Sequence, residues 1–498
     1  MADVGALVTS AQSLCASDAG LKELQTLLEA NKDGLVEQTE SCLAALESGA
    51  LLPDQHALAW IHLLRAVAGP APPRETPRHE LDPAGETMMG MGSQGSDQPP
   101  APSPAPSPAP THTQPNNNSI NRRRALHLTG DDAGGATGDR FANLASRLCA
   151  SCPRTHAAKD PVKFARVCAE LKDVAVAKAR PAAAIAPLLR AVTIAAPTED
   201  HLTAQHSHLF HACIAAKMPD AALNVLTKRV FEVEPKTTGV SVHDFLAYCL
   251  HGGEIYAALG RFGDACDVLE HAVRAPASAV SDVVVKCYKR LVLCALVAKG
   301  AVGSFPRRSA GVVQRNLKSA CSEYTALADA YTSRNGEALV AKAAEYQSVW
   351  ARDGVEGLVR AVVESVGGRH VARLTKTYLT LSLDDIAREA GLAGGAAEAE
   401  RTILRMIGTD EIRASVSRAD GMVSFHDASG DQFSTARFSA KLEECISEAQ
   451  VMSERLRRAD ESIRSDRQFL AKQVEASHGS LGGSLRGMRV GGDDLGDM

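Results

Sequence analysis

Two short spacings in this sequence carry residue types suited to metal chemistry. His206-Ser-His208 is a His-x-His pair, a donor set that can hold zinc for hydrolysis when further ligands complete it. Cys149-Ala-Ser-Cys152, with His156 and Cys168 beyond it, offers the thiolate and imidazole donors of a structural zinc site. The elements that must carry these residues decide against both. Residues 202–216 read as a helix, and positions two apart on a helix point about 200° apart, so His206 and His208 cannot grip one ion. His208 and His211 share a helix face but lack a third ligand, and read as ordinary surface or groove histidines. Cys149 and Cys152 lack a second close pair and read as two thiols near a linker edge. No metal and no cofactor is assigned.

Other catalytic arrangements are missing from the sequence as well. There is no Gly-x-x-x-x-Gly-Lys phosphate loop and no nucleophile elbow, and scattered Ser and His residues do not make a triad. The expectation is a protein that is not an enzyme. The 12 cysteines lie mostly inside apolar helical patterns, as at Cys213, Cys249, Cys266, Cys287, Cys294 and Cys445, where a free thiol behaves as a small hydrophobe. That usage suits a reducing compartment.

The elements themselves are helical. With 498 residues and 45% hydrophobic side chains the chain has material for two or three domains, while aromatic residues make up only 4%. Ala and Leu dominate, which favours helix-on-helix packing over sandwiches or barrels. A net charge of −5 gives no field that would drive general binding to nucleic acid or acidic lipid. The start of the chain has no basic segment followed by an unbroken apolar stretch, so no secretory signal is expected. The most apolar window, residues 283–302, is broken by Lys286, Lys289, Arg290 and Lys299, so no membrane span is expected.

Along the chain, residues 1–68 read as an N-terminal segment of a few short helices, with turn residues at Gly34, Gly49 and Pro53. Residues 69–139 turn Pro-, Gly-, Ser- and Asn-rich and read as a disordered linker, expected to be dispensable. Arg122, Arg123 and Arg124 inside it could act in nuclear import, although a solvated charge run is the commoner meaning. Residues 140–369 read as an α-solenoid of helix pairs. The clearest pair places Gly253, Tyr256, Leu259, Gly260, Phe262, Ala265 and Ala272 at tetratricopeptide positions. A looser pair carries Cys213, Pro219, Ala222 and Leu226 about 43 residues earlier, against the strict 34 of that repeat. Solenoids expose long surfaces and have no intrinsic active site, which favours protein binding.

The pattern changes for residues 370–427. A short apolar run with Leu379 and Leu381 ends at Ser382, a good N-cap for a helix over 383–390, and Gly391 is its expected stop. A second helix over 396–407 follows. Strands over 412–416 and 422–425, carrying Ile412, Val416, Met422 and Phe425, are joined across Asp420-Gly421, a hairpin turn signal. The order describes a winged helix. Its second helix sets Glu398 and Glu400 against Arg401 and Arg405, so no nucleic-acid binding is expected from it. Residues 428–475 read as a long helix with a heptad seam. Phe438, Cys445, Met452 and Ala459 recur every seven residues, with Leu442, Ala449, Leu456 and Ile463 four residues after each. One narrow apolar stripe on a long helix wants partner helices. Residues 476–498 read as a Gly-rich disordered tail.

A solenoid of helix pairs ending in a winged helix and a long helix resembles the PCI family, found in the proteasome lid, the COP9 signalosome and a translation initiation factor. Leu374-Thr-Lys-Thr-Tyr-Leu-Thr-Leu-Ser-Leu383, Glu411-Ile-Arg-Ala-Ser415 and Asp420-Gly-Met-Val-Ser-Phe-His-Asp427 resemble the signalosome's subunit 3 branch of that family. So do Gly252-Gly-Glu-Ile-Tyr256 and Pro276-Ala-Ser-Ala-Val-Ser281 with Tyr288-Lys289 after it. The likeness covers roughly residues 164–469. It implies a non-catalytic scaffold of the complex that removes a ubiquitin-like modifier from cullins. The winged helix would join a ring of such domains and the last helix a bundle made by all the subunits. Implied partners are the other PCI- and MPN-domain subunits of the signalosome and, indirectly, cullin-RING ubiquitin ligases, in cytoplasm and nucleus. The catalytic metalloprotease would be a different subunit, whose His-x-His is followed by Ser and Asp ligands; here Ala216 stands at the Ser position and Asp220 lies one position too far. A proteasome-lid subunit would share the architecture, and a winged-helix nucleic-acid binder is the rival of another class.

Overall fold

The computed structural model describes residues 4–15, 17–69, 133–276, 280–305, 311–333, 336–392, 394–409, 411–418, 420–426 and 436–472. The chain divides into two compact units, Met1–Arg369 and His370–Met498. The first is made of helices. In order they are α1 (Val4–Leu14), α2 (Asp18–Ala30), α3 (Lys32–Glu37), α4 (Thr39–Glu47), α5 (Ala57–Ala68), α6 (Ala133–Ser151), α7 (Arg154–Lys159), α8 (Pro161–Ala177), α9 (Ala182–Ala195) and α10 (Ala204–Ala215). A 3-10 turn (Pro219–Ala222) then leads into α11 (Leu223–Leu226), α12 (Pro235–Thr238), α13 (Val242–Ala258), α14 (Phe262–Arg274), α15 (Asp282–Lys299), α16 (Gly311–Ala320), α17 (Ser322–Thr332), α18 (Gly336–Glu345), α19 (Gln347–Asp353) and α20 (Glu356–Leu374).

Helix α5 explains how the unit begins. Every residue of it except Arg65 is buried, and a helix that is apolar all round must be covered on all sides. Its neighbours are α2, α3 and α4 on one hand and α6, α7 and α8 on the other. One continuous core therefore runs from Val4 to Val362. The helices described within residues 1–68 share that core with those from Ala133 onward. Helix α6 starts at Ala133, inside the stretch read as linker, and Asp139 within it pairs with Lys178 and Arg180. Residues 70–132, which hold the Pro-rich run and Arg122 to Arg124, lie outside the described residues.

The α13–α14 pair has the close approach its glycines allow. A Cβ on Gly253 would stand 2.4 Å from Leu269 Cγ, so no larger residue fits without movement. Gly260 makes the turn at φ +74°, a left-handed conformation open to glycine. Tyr256 Oη donates to Leu226 O at 3.2 Å and ties the pair to the one before it.

The second unit holds β1 (Thr380–Ser382), α21 (Leu383–Ala390), α22 (Gly395–Gly408), β2 (Ala414–Ser417), β3 (Met422–Phe425) and α23 (Ala436–Ser465). The three strands pair antiparallel in the order β1-β3-β2. Ser382 caps α21, its Oγ accepting the Asp385 N–H at 3.1 Å, and Gly391 ends the helix at φ +67°. Gly421 forms the hairpin turn at φ +63°. Ile386, Ala399, Ile403, Met406, Val423 and Phe425 make the core beneath the sheet. Ile412, expected in a strand, precedes β2; it is buried in that core while its N–H reaches back to Met406 O at the end of α22. Leu379 also lies outside β1, with its side chain 73% exposed and its carbonyl taking the Phe425 N–H at 2.7 Å. Val416 and Met422 fall in β2 and β3, and Leu381 in β1. The tail from residue 473 onward lies outside the described residues.

Candidate functional site

Helix α23 carries a row of exposed apolar residues. It spans Ala436–Ser465 as one helix, and its seam faces solvent: Leu442, Met452, Leu456 and Ile463 are 49%, 40%, 69% and 54% exposed. Cys445 is an exposed free thiol on the same stripe, with Ala449 and Ala459 exposed as well and Phe438 half-buried. Ile446, one turn after Leu442, is 50% exposed and widens the stripe beyond the strict heptad positions. A stripe of that width is what a helix facing the inside of a multi-helix bundle carries.

The rest of the helix is held by its own charges. Arg457 pairs with Glu454 at 2.8 Å and Glu461 at 2.5 Å, Arg458 with Glu454 at 3.0 Å, and Arg464 with Asp460 at 2.9 Å. All are three or four residues apart, the spacing that stabilises an isolated helix by about 0.2–0.5 kcal/mol per pair. The two arginines beside Glu454 hold its carboxyl down at about 2. Such pairs keep the helix formed and soluble while leaving its apolar face uncovered.

The winged helix offers a second surface. With β3 in the middle, β1 and β2 are edge strands, each with one side of its backbone unpaired among the described residues. On α22, Glu400 is taken by Arg418 at 2.6 Å.

The suspected metal residues are accounted for differently. His206 is buried; its Nδ1 accepts the Thr203 N–H at 3.2 Å and lies 2.9 Å from Thr203 Oγ1, so the ring caps the start of α10. Its edge meets Phe210 and Tyr248 at ring-centroid distances of 6.4 and 6.1 Å. Burial pushes both His206 and His208 down to about 4, so each is a neutral ring at physiological pH. His211 turns to His251, ring centroids 5.2 Å apart. Cys149, Cys152 and Cys168 are all buried free thiols; burial pushes Cys152 up to about 12, and contact with Cys149 together with burial raises Cys168 well above an ordinary thiol. All three belong to the core.

Among the described residues, one group of three His, Cys, Asp or Glu side chains has ligand atoms all within 4.8 Å of one another: Glu29, His62 and Asp160. The sequence reading missed it. No spacing rule could have found it, since one residue comes from each of α2, α5 and the N-cap of α8, and only the shared core brings them together.

Comparison with known proteins gives the following. A family model for the N-terminal helical repeats of COP9 signalosome complex subunit 3 matches residues 115–313, and the PCI domain model matches 343–427. The first match opens inside the stretch read as linker. The chain is 31% identical over 271 residues to COP9 signalosome complex subunit 3 of Dictyostelium discoideum, covering 54% of this chain and 64% of that protein. It is also 31% identical over 334 residues to COP9 signalosome complex subunit 3 of Arabidopsis thaliana, covering 66% of this chain and 75% of that one. Among the described residues no helix is long and apolar enough to cross a membrane.

Proposed function

Starting from the fact that the chain belongs to the COP9 signalosome subunit 3 family, we propose that it is a non-catalytic scaffold of the signalosome. Its work is to hold other subunits in place while a different subunit removes the ubiquitin-like modifier from cullins in cullin-RING ligases, in cytoplasm and nucleus. The observation that carries this reading is the apolar face of α23, where Leu442, Met452, Leu456 and Ile463 stand at 40% exposure or more on a helix already stabilised by its own ion pairs. In water such a face is unfavourable by about 25 cal/mol for each Å² left uncovered, and burial against other helices recovers it. The width added by Ile446 fits a bundle of several helices better than a two-stranded coil.

The winged helix supports the second half of the reading. Its edge strands have backbone groups free to pair with a neighbouring domain, and its short, tightly capped elements make a rigid unit to present them. Partners would be PCI- and MPN-domain subunits of the same complex. The test is affinity purification of the tagged protein from native extract, with mass spectrometry of its partners and a cullin-deconjugation assay on the eluate. The reading expects signalosome subunits, including a zinc peptidase, and activity that stays with the complex while the recombinant chain by itself has none. Recovery of proteasome-lid subunits instead, or of the chain alone with no activity, contradicts it.

A further inference from the structure

The first unit contains a polar cluster that a scaffold role does not use. Asp160 is the N-cap of α8, with Oδ1 accepting the Lys163 N–H at 3.3 Å. Its Oδ2 stands 3.2 Å from His62 Nε2 and 2.6 Å from Lys163 Nζ. The same ammonium lies 2.6 Å from Glu29 Oε2. His62 has a side chain only 3% exposed, and its Nε2 makes no hydrogen bond, because the contact with Asp160 lacks the geometry for one. A buried ring nitrogen left in that condition costs about 1–3 kcal/mol. A cavity of about 510 Å³ opens beside the cluster, lined by Glu29, Lys32, His62, Arg65 and Lys163 among others.

We propose that Glu29, His62 and Asp160 form a binding site for a divalent metal ion of the zinc class, entered when Lys163 swings out into the cavity. Lys163 marks the position, since a cation already sits between the two carboxylates. The donor set of one imidazole and two carboxylates selects a borderline metal such as zinc over calcium or magnesium, which prefer all-oxygen sites. Ligand atoms on a tetrahedral zinc stand about 3.4 Å apart, so the cluster closes by a short movement. Glu29, with a side chain 49% exposed, supplies it. Two carboxylates would balance the ion's charge, the imidazole nitrogen would be the third ligand, and water from the cavity would fill the fourth position. The bound ion would staple α2 and α5 to the start of α8.

The test uses the full chain in a Cys445→Ser background, which removes the exposed thiol, stripped with chelator and titrated with zinc by calorimetry and with cobalt by visible spectroscopy. One zinc per chain is expected, with a cobalt spectrum free of thiolate charge-transfer bands. Glu29→Gln and His62→Gln should each weaken binding by more than about 100-fold, beyond the range for losing a merely supporting partner. Lys163→Met should tighten it by about tenfold or more, since a competing positive charge is gone. Glu29 is exposed enough that its change leaves the fold intact, so the test does not depend on the buried variant. No uptake at micromolar zinc, binding unchanged in Glu29→Gln, or weaker binding in Lys163→Met would each overturn the proposal.

Discussion

Helices α5 and α23 both carry regularly spaced leucines, yet Leu58 and Leu64 are fully buried while Leu442 and Leu456 are 49% and 69% exposed. The first helix is apolar on every side except at His62 and Arg65 and is covered by neighbours from its own chain. The second has a polar majority laced by ion pairs and one apolar stripe that stays exposed among the described residues. On the proposed scaffold reading, the difference separates residues that make the protein fold from residues that would make it assemble. Substitution in α5 should cost stability; substitution in the α23 stripe should cost partners.

The largest expected effect on stability lies in α5. Trp60 is fully buried, with Nε1 donating to Leu51 O at 3.2 Å and the Arg147 guanidinium 5.4 Å from its ring centre. Trp60→Ala should destabilise the chain by about 3–5 kcal/mol, measured by urea unfolding. A loss below 1 kcal/mol would mean that the first helices do not share the core.

Next comes the ion-pair cluster that joins α2 to the start of α8 through Lys163. The Asp160 carboxyl is held at about 2, below its ordinary 3.8, against the opposing effect of burial. A carboxyl depressed on folding adds stability that is present above its unfolded pKa and lost as pH falls through the folded one. The shift corresponds to about 2 kcal/mol at neutral pH. With chelator present, Asp160→Asn should therefore be less stable than the parent chain at pH 7, and the gap should close between about pH 4 and pH 2. A gap independent of pH would contradict the ion-pair account.

A similar or smaller loss is expected within the solenoid. Gly253→Ala puts a Cβ against Leu269 and should cost about 1–3 kcal/mol through overpacking. Leu269→Ala in the same chain should recover part of that loss, and thermal unfolding of the single and double variants reads it out.

Much of the second unit was legible because its signals are local. Ser382, Gly391 and Gly421 each fix the backbone within a few residues, and a winged helix follows from their order. Ile412 and Leu379 misled because an apolar residue beside a strand looks the same as one inside it. Ile412 is buried by the end of α22 instead, and Leu379 contributes a carbonyl to β3 while its side chain faces water. That the α23 residues lie along one helix was readable from period alone, since a regular helix needs no tertiary contact to place its residues. What periodicity cannot supply is long-range closure. That α5 packs on α8, and that Glu29, His62 and Asp160 meet, depends on helices far apart in the chain. Even so, α5 held a clue, because a twelve-residue helix with a single charged position cannot stand uncovered.

The smallest effect on stability and the largest on assembly belong to the same substitution. Leu456 is 69% exposed, so Leu456→Arg should change unfolding of the isolated chain by less than about 0.5 kcal/mol. In a bundle, the buried guanidinium would be an unpaired charge, which helix packing does not tolerate. The decisive measurement is therefore co-purification of tagged wild-type and Leu456→Arg chains from native extract, with unfolding curves of both proteins in parallel. The scaffold account predicts superimposable unfolding curves and loss of the other signalosome subunits from the variant. Retention of the full set of partners would contradict it.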